Sequence, residues 1–181
     1  RAALLLLRFT IPLLAGNVFQ QFYNLVDSIV VGRFVGSNEL GGIGCTGSIN
    51  YLIFSIGYGM SAGVGVQIAM LFGAGERERL TKAIYNSFYV LAGAALIITL
   101  TGFFGAEYIL RRMDTPLAVM PYGVTYLRLT ALGSIASILY NGFSSIMRAF
   151  GDTSTPLIIL VFACVCNVAF DLILVLGFQM G

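Results

Sequence analysis

Five long apolar stretches without a charged residue limit the folds open to this chain. They lie at 9–26, 40–75, 83–106, 129–147 and 153–170. A helix needs about 20 mostly apolar residues to cross the hydrocarbon layer of a bilayer, which is about 30 Å thick. Each stretch meets or approaches that length, and only 10% of the residues are charged, against about 25% in a soluble domain. The sequence therefore predicts an all-α polytopic membrane protein.

Polar and turn-forming residues separate the apolar stretches and set the ends of the predicted helices. Pro156 suits the first turn of the last helix, where its missing N–H has no helical partner to lose. The predicted transmembrane helices are five, at about 3–31, 43–72, 83–110, 117–147 and 156–176. The chain begins with Arg1 instead of methionine and stops at Gly181 without a polar tail. We therefore expect it to be a piece of a larger protein.

The composition argues against several classes of function. A net charge of +2 offers no basis for nucleic-acid binding, and the absence of histidine removes the commonest catalytic base and metal ligand. No nucleophile–base pair stands out, so we do not expect an enzyme. The cysteines show neither zinc nor disulfide spacing and are interpreted as small buried hydrophobic residues: Cys45, Cys164 and Cys166.

Two aspartates interrupt stretches that otherwise suit the bilayer interior. Asp27 lies in the first predicted helix and Asp171 in the fifth. A carboxylate at the centre of a membrane helix costs about 2.5–3.5 kcal/mol on insertion scales, so it usually faces a cavity, a partner or an ion. Both residues are therefore candidates for ion coupling or substrate binding.

A row of polar residues accompanies the first of these aspartates. Asn17, Gln20, Asn24 and Asp27 follow one another at intervals of three, four and three, which places them on one face of a helix, and Tyr23 lies one turn before Asp27. Because lipid cannot satisfy such a row, this face must meet protein or water. The amides alone are equally well explained by hydrogen bonds between helices.

Two further helices carry polar residues. In the fifth, Asn167 stacks one turn before Asp171, and together they offer hard oxygen ligands to a cation or a hydrogen-bonded proton site. In the fourth, Asn141 is the one candidate for function, because the other members of its row are small residues that favour helix packing or lie at the helix end: Ser134, Ser137, Ser144 and Arg148. The glycine-rich second helix is interpreted as a packing or sliding surface, with Gly57, Gly59, Ser61, Gly63 and Gly65.

Several segments, in order and at matching spacing, resemble the multidrug and toxic compound extrusion (MATE) transporters. The segment 20–36, QQFYNLVDSIVVGRFVG, is similar to the first-helix signature of the family, closest to its bacterial DinF-like and staphylococcal-type branch. The segment 151–156, GDTSTP, with the later pair Asn167 and Asp171, resembles the fourth loop and fifth helix. The segments 113–116, MDTP, and 126–128, YLR, resemble the outer loop and the start of the fourth helix.

The resemblance implies a fold of about twelve helices in two six-helix lobes, of which this chain supplies the first five helices. The sixth helix and the C-terminal lobe would be absent. It also implies a secondary active efflux antiporter that exchanges H⁺ or Na⁺ for organic, often cationic, drugs, and that has no cofactor. Ion coupling would rest on Asp27, Asp171 and Asn167, which could also bind Na⁺. The substrate cavity would include Tyr23, Asn24, Gln20 and Asn141.

The expected location is the cell membrane of a bacterium, in contact with lipid, with a cytoplasmic N-terminus. That orientation puts six basic residues inside and four outside, a weak positive-inside bias: Arg1, Arg8, Arg77, Arg79, Lys82 and Arg148 against Arg33, Arg111, Arg112 and Arg128. Two other interpretations stay open, a lipid-linked saccharide flippase of the same superfamily and a non-transporting structural subunit. The flippase would be expected to carry more arginines within the membrane.

Overall fold

The computed structural model describes residues 2–30 and 36–173, and at Tyr23, Asn24, Asp27 and Asp171 it describes the backbone alone. These ranges contain five helices and no strand, which confirms the all-α prediction. The helices are α1 (Ala2–Val30), α2 (Ser37–Gly73), α3 (Arg77–Arg112), α4 (Met120–Ala149) and α5 (Ser154–Leu172).

Three of the described helices are long and apolar enough to cross a membrane. They are α2 from Asn38, α3 and α4, with mean hydropathies of 1.4, 1.9 and 1.2. Within α5, the segment Ser154–Phe170 is apolar but shorter. Many large hydrophobic side chains are exposed on these helices, including Phe104, which is 74% exposed, and Phe162, which is 70% exposed. Such surfaces suit lipid as the solvent, and the chain is a multi-pass membrane protein.

The second and third helices begin earlier than the apolar pattern predicts. α2 starts at Ser37 and not near 43, and α3 starts at Arg77 and not near 83. The first turns of α3 are polar but are stabilised by ion pairs one turn apart, Arg79 with Glu76 at 2.9 Å and Lys82 with Glu78 at 2.6 Å. A helix can therefore continue beyond the lipid, where hydropathy no longer marks its end.

The turn between α3 and α4 makes α4 begin at Met120, later than the predicted 117. Asp114 has a left-handed backbone with φ of 53°, and the N–H of Thr115 donates to the carbonyl oxygen of Leu110 at 3.2 Å. The carbonyl oxygen of Pro116 then accepts from the N–H of Met120 at 3.0 Å. The turn therefore extends over the first residues that the apolar pattern assigns to the fourth helix, and α4 begins only after it. The predicted helix ends at 31 and 176 lie outside the described residues.

The residues fall into two compact units, one built on α1 and α5 and one on α2 from Gly41, α3 and α4. In the second unit α3 and α4 pack antiparallel, since Leu91 clusters with Ile138 at one end and Leu110 with Leu127 at the other. At the middle, Gly102 lets the helices approach so closely that an added Cβ would lie 2.8 Å from the Cβ of Ala131.

Buried hydroxyl groups join the same two helices beside that close approach. The Oγ1 of Thr99 donates to the carbonyl oxygen of Ala131 at 3.0 Å and lies 3.1 Å from the Oγ of Ser134. Both hydroxyl-bearing residues are buried. In a membrane such bonds between helices contribute about 0.6 kcal/mol on average, and up to about 1.7. Ser134 is thus a packing residue, as the interpretation of its row proposed.

The glycines of α2 divide between two faces. An added Cβ at Gly57 would lie 2.6 Å from Ile138, and one at Gly65 would lie 3.1 Å from Ser145, so these glycines allow α4 to pack closely. Gly59 and Gly63 have no described neighbour within 4 Å of such a Cβ. The packing role is therefore confirmed at Gly57 and Gly65, whereas no described residue packs against Gly59 and Gly63. Residues two apart on a helix point to nearly opposite faces.

Asp152, in the loop between α4 and α5, forms hydrogen bonds at the start of α5. Its Oδ1 accepts the backbone N–H of Ser154 at 3.1 Å and that of Thr155 at 3.0 Å. These amides belong to the first turn, where no helical acceptor exists. Hydrogen bonds from Thr155, first from its side chain and then from its backbone, hold the pKa of this carboxyl below its ordinary value of 3.8.

This lowered pKa predicts an acid-sensitive contribution to stability. A group whose pKa is lower in the folded state stabilises fully above its unfolded value and loses that effect as the pH falls through the folded value. Below about pH 3.8, the unfolding temperature of the wild-type protein should therefore decrease more than that of Asp152→Asn, because asparagine cannot titrate. Thermal unfolding of both proteins in detergent across pH 2–7 measures the difference. Identical pH profiles would contradict the prediction.

Candidate functional site

The α1–α5 unit carries all three residues predicted to act in ion coupling, Asp27, Asn167 and Asp171. Gly16 of α1 contacts α5, since an added Cβ would lie 3.2 Å from a methyl group of Leu160 and 3.6 Å from one of Leu157. Tyr23 and Asp27 follow Gly16 by seven and eleven residues, which is close to two and three full turns. Their backbone positions therefore lie on the face of α1 that meets α5.

The corresponding row on α5 ends at the second aspartate. Leu157 and Leu160 contact α1, and Cys164, Asn167 and Asp171 continue the row at intervals of four, three and four. Cys164 is only 8% exposed, as expected of a residue that points between packed helices. The structure thus brings the two helices that carry the aspartates into contact, and the helical period assigns the backbone positions of Asp27 and Asp171 to the contacting faces. The contacts of the two carboxyl groups lie outside the described part of the structure.

The amide of Asn167 is the one described side chain of the predicted coupling site. Its Oδ1 is shielded from solvent and accepts no hydrogen bond from the described residues. A buried acceptor without a donor costs about 1–3 kcal/mol, so such atoms are rare in folded proteins. An amide oxygen is also a suitable hard ligand for a cation. This oxygen, one turn before Asp171, is therefore suited to accept from a protonated carboxyl group or to bind a cation.

The predicted cavity residues on α1 differ in exposure from Asn167. Gln20, a predicted cavity residue, is exposed, and so is Asn17 of the same polar row. Gln20 follows Gly16 by four residues. The structure does not describe the side chains of Tyr23 and Asn24, so their predicted roles rest on position. Exposed amides in a membrane helix need a polar environment, so this surface must meet water or polar groups of protein.

Asn141, the remaining predicted cavity residue, lies in the other unit. It is half-buried, and its Nδ2 donates to the backbone carbonyl oxygen of Ser137 at 2.8 Å. In the same row, Nη2 of Arg148 donates to the Oγ of Ser145 at 2.8 Å. The described bonds of this row are therefore structural, and the role of Asn141 in substrate binding stays a prediction.

A polar link between α2 and α4 was not predicted from the sequence. The Oγ1 of Thr130 donates to the Oδ1 of Asn50 at 3.0 Å, and the Nδ2 of Asn50 lies 3.4 Å from the Oγ1 of buried Thr46. The signal was present, because Thr46 and Asn50 are one turn apart in an uncharged stretch. Every polar atom named in this link has a protein partner, so the link stabilises packing and is not a site.

Comparisons with known proteins agree with this architecture. The family model MatE matches residues 12–173. A probable multidrug resistance protein of Bacillus subtilis, YpnP, is 28% identical over 176 residues, which cover 97% of this chain and 40% of the relative. The multidrug export protein MepA of Staphylococcus saprophyticus is 23% identical and is matched over 97% of this chain and 39% of its own length. The chain thus spans about 40% of the length of these relatives.

Solved structures share the fold. A transporter of the MOP superfamily from Pyrococcus furiosus superposes with a TM-score of 0.89 at 23% identity, covering 96% of this chain and 38% of that one. A MATE transporter crystallised in a straight conformation gives a TM-score of 0.88 at 24% identity, with 96% and 39% coverage. The fold and the family model lead to one conclusion: the chain belongs to the MatE family, whose members are transporters and not enzymes.

Proposed function

We propose that the protein to which this chain belongs is a secondary active multidrug efflux antiporter, driven by H⁺ or Na⁺. The names of the relatives, multidrug resistance and multidrug export proteins, support drug efflux. The buried Oδ1 of Asn167, without a described partner one turn from Asp171, carries the proposal of ion coupling. The rest of the protein would supply the second wall of the substrate cavity.

The proposed ion site lies between α1 and α5. Successive membrane helices joined by short links alternate in direction, so α1 and α5 would run parallel. Asp27 follows Gly16 by eleven residues, and Asp171 follows Leu160 by the same number. Because Gly16 and Leu160 are in contact, the two carboxylates would lie at the same depth. Asn167 would complete the site as a neutral oxygen ligand.

Two carboxylates at one depth make the packing of these helices sensitive to ions. When both are charged, they repel each other and carry a high desolvation cost in the membrane. Entry of a proton or Na⁺ would neutralise charge and favour closer packing of α1 and α5. This bias would be passed to the substrate cavity, so that ion entry accompanies drug release. Gly16, which has no side chain between the helices, permits that closer packing.

The proposed substrates are amphipathic organic compounds that are often cationic. Exposed Asn17 and Gln20 provide neutral hydrogen-bonding groups on α1, and the predicted partners Tyr23 and Asn24 on the same helix would add further polar and aromatic contacts. Neutral amides and an aromatic ring recognise many molecules loosely, because they impose no fixed charge pairing. Such a cavity suits multidrug transport more than one tight ligand.

The proposed orientation has a cytoplasmic N-terminus in a bacterial cell membrane. Within the second unit, Arg77, Arg79, Lys82 and Arg148 lie at one end of the α3–α4 pair. Arg111 and Arg112 lie at the other end. The greater number of basic residues supports the first end as cytoplasmic.

Transport by the full-length protein in vesicles tests this proposal. The protein is reconstituted, and export of a fluorescent cationic dye is followed under a proton gradient alone, a sodium gradient alone and neither gradient. We expect efflux above the control under at least one gradient, and the active gradient identifies the coupling ion. Protein-free vesicles and the gradients collapsed by ionophores are the controls. Efflux that is equal with and without gradients would exclude an antiporter.

A further inference from the structure

We propose that an apolar groove between α3 and α4 holds an acyl chain of one anionic glycerophospholipid, whose phosphate binds Arg77. The groove has a volume of about 250 Å³. It is open along one side and is lined almost entirely by hydrocarbon groups. Its principal side chains are Ile84, Tyr85, Phe88 and Leu91 on α3, and Leu139 and Phe143 on α4.

The groove exists because a glycine forms part of its wall. Gly142 also lines it, and a Cβ at that position would collide with the side chain of Leu91. The two helices therefore approach closely at this level, and the larger side chains stand on either side. The rings of Phe88 and Phe143 lie 6.3 Å apart between centroids and are tilted by 40°. Both rings line the apolar groove.

Aromatic residues place the groove just inside the hydrocarbon boundary. Tyr85 and Tyr89 are exposed near the start of α3, and Tyr108 is exposed near its end. Tyrosines are enriched where a helix leaves the lipid. Tyr85 and Tyr108 are separated by about 35 Å at 1.5 Å per residue, which matches a hydrocarbon layer of about 30 Å with part of its interfaces. The end of the groove at Tyr85 therefore lies at the head-group level.

Arg77 lies on the same face of α3 as the groove and beyond its polar end. It precedes Ile84 by seven residues, close to two turns, so both have nearly the same direction from the helix axis. The axial separation is about 10 Å, and each head-group layer is about 5–7 Å thick. Arg77 thus lies about 3–5 Å beyond the head-group layer, a distance that its long, flexible side chain can span. The guanidinium group can therefore meet the phosphate of a lipid whose chain occupies the groove.

The charges around Arg77 favour an anion at this position. Neighbouring Glu76 and Glu78 are paired with Arg79 and Lys82. Arg77 is exposed and forms no ion pair with the described residues. Arg79, two positions later, points to nearly the opposite side of the helix. Arg77, a cation without an ion pair among the described residues, thus lies in line with the groove, and Arg79, a matched cation with an ion pair, lies on the other side of the helix.

An acyl chain fits the groove better than a drug does. Sites for drug-sized molecules usually measure about 300–1,000 Å³ and contain a few convergent polar groups. This groove is smaller, and Tyr85 provides its one phenol. Within a membrane, exchanging one hydrocarbon contact for another supplies little driving force. Selectivity must therefore come from the head group, and one basic residue near an anionic surface is worth about fivefold in binding.

Photochemical labelling of the full-length protein tests the site. The protein is placed in nanodiscs of phosphatidylglycerol and phosphatidylcholine, with a trace of either lipid carrying a diazirine on one acyl chain. After irradiation, labelled peptides that contain 84–91 or 139–146 are quantified by mass spectrometry. We expect phosphatidylglycerol to label them more than phosphatidylcholine. Arg77→Gln should reduce that preference about fivefold, whereas Arg79→Gln should leave it within about twofold.

A second pair of variants tests the groove itself. Leu139→Phe should reduce labelling by both lipids, because the larger ring fills part of the groove. Leu132→Phe, two turns away and outside the groove, should not reduce it. Unfolding temperature identifies any variant that fails to fold. Equal labelling by the two lipids, or an unchanged preference in Arg77→Gln, would overturn the proposal. Absence of lipid labelling would mean that protein, such as a second copy, covers the groove, and would overturn it too.

Discussion

Asp27→Asn and Asp171→Asn are each expected to abolish ion-driven drug efflux while the protein stays folded in the membrane. Asparagine keeps the size of aspartate and a hydrogen-bonding oxygen, but it cannot release a proton or carry a negative charge. One elementary charge moved through 100 mV supplies about 2.3 kcal/mol. Loss of that coupling corresponds to a decrease of about 50-fold in the drug gradient that the protein can sustain.

The measurement is efflux of a cationic dye from vesicles at matched protein content, under the gradient that drives the wild type. Asp114→Asn is the matched control, because this aspartate lies in the α3–α4 turn with φ of 53°. Asparagine tolerates that left-handed conformation well, so we expect unchanged efflux there. If both membrane variants retained wild-type efflux, coupling would have to reside elsewhere in the protein, and these aspartates would be structural.

Gly102→Leu is expected to separate α3 from α4 and to destabilise the protein by about 1–3 kcal/mol, the usual cost of overpacking a core. A Cβ at this position would lie only 2.8 Å from the Cβ of Ala131. The leucine side chain therefore cannot be accommodated without moving a helix. That movement would also strain the hydrogen bond from Thr99 to the carbonyl oxygen of Ala131.

Gly93→Leu is the control, because Gly93 lies in the same helix and has no described neighbour within 4 Å of an added Cβ. Leucine is a better helix former than glycine by about 0.8–1.0 kcal/mol at most, so stability should be unchanged or slightly higher. Reversible unfolding in mixed micelles with increasing dodecyl sulfate gives both values. Equal destabilisation of the two variants would show that helix propensity, and not the α3–α4 contact, determines the effect.

The class of fold followed from the sequence because a bilayer imposes a simple rule. Backbone polar groups in lipid must pair internally, so each long apolar stretch predicts a helix. The number of helices in the described residues was correct for that reason. The starts of α2 and α3 were wrong, since ion pairs such as Lys82 with Glu78 extend α3 into a polar region. Hydropathy reports where lipid ends and not where a helix ends.

For the candidate site too, the sequence predicted some features, and others required the structure. Asp27, Asn167 and Asp171 could be selected from the sequence because polar groups are costly in lipid. The contact of Gly16 with Leu160, which joins their helices, required the structure. The buried oxygen of Asn167, which has no hydrogen-bond partner among the described residues, also required it. Periodicity gives the face of a helix on which a residue lies, but it does not give the neighbour of that face.

By itself, the sequence determined an all-α membrane protein with two costly carboxylates at defined positions along its helices, because local hydropathy and the helical period depend only on neighbouring residues. Tertiary structure alone decided which glycines serve as contacts. Gly57 packs against Ile138, whereas Gly59 has no described neighbour. It also decided that Ser134 bonds to Thr99 and that α3 and α4 enclose a groove beneath Arg77. Such pairings depend on how closely helices approach across long sequence separations, which no local pattern encodes.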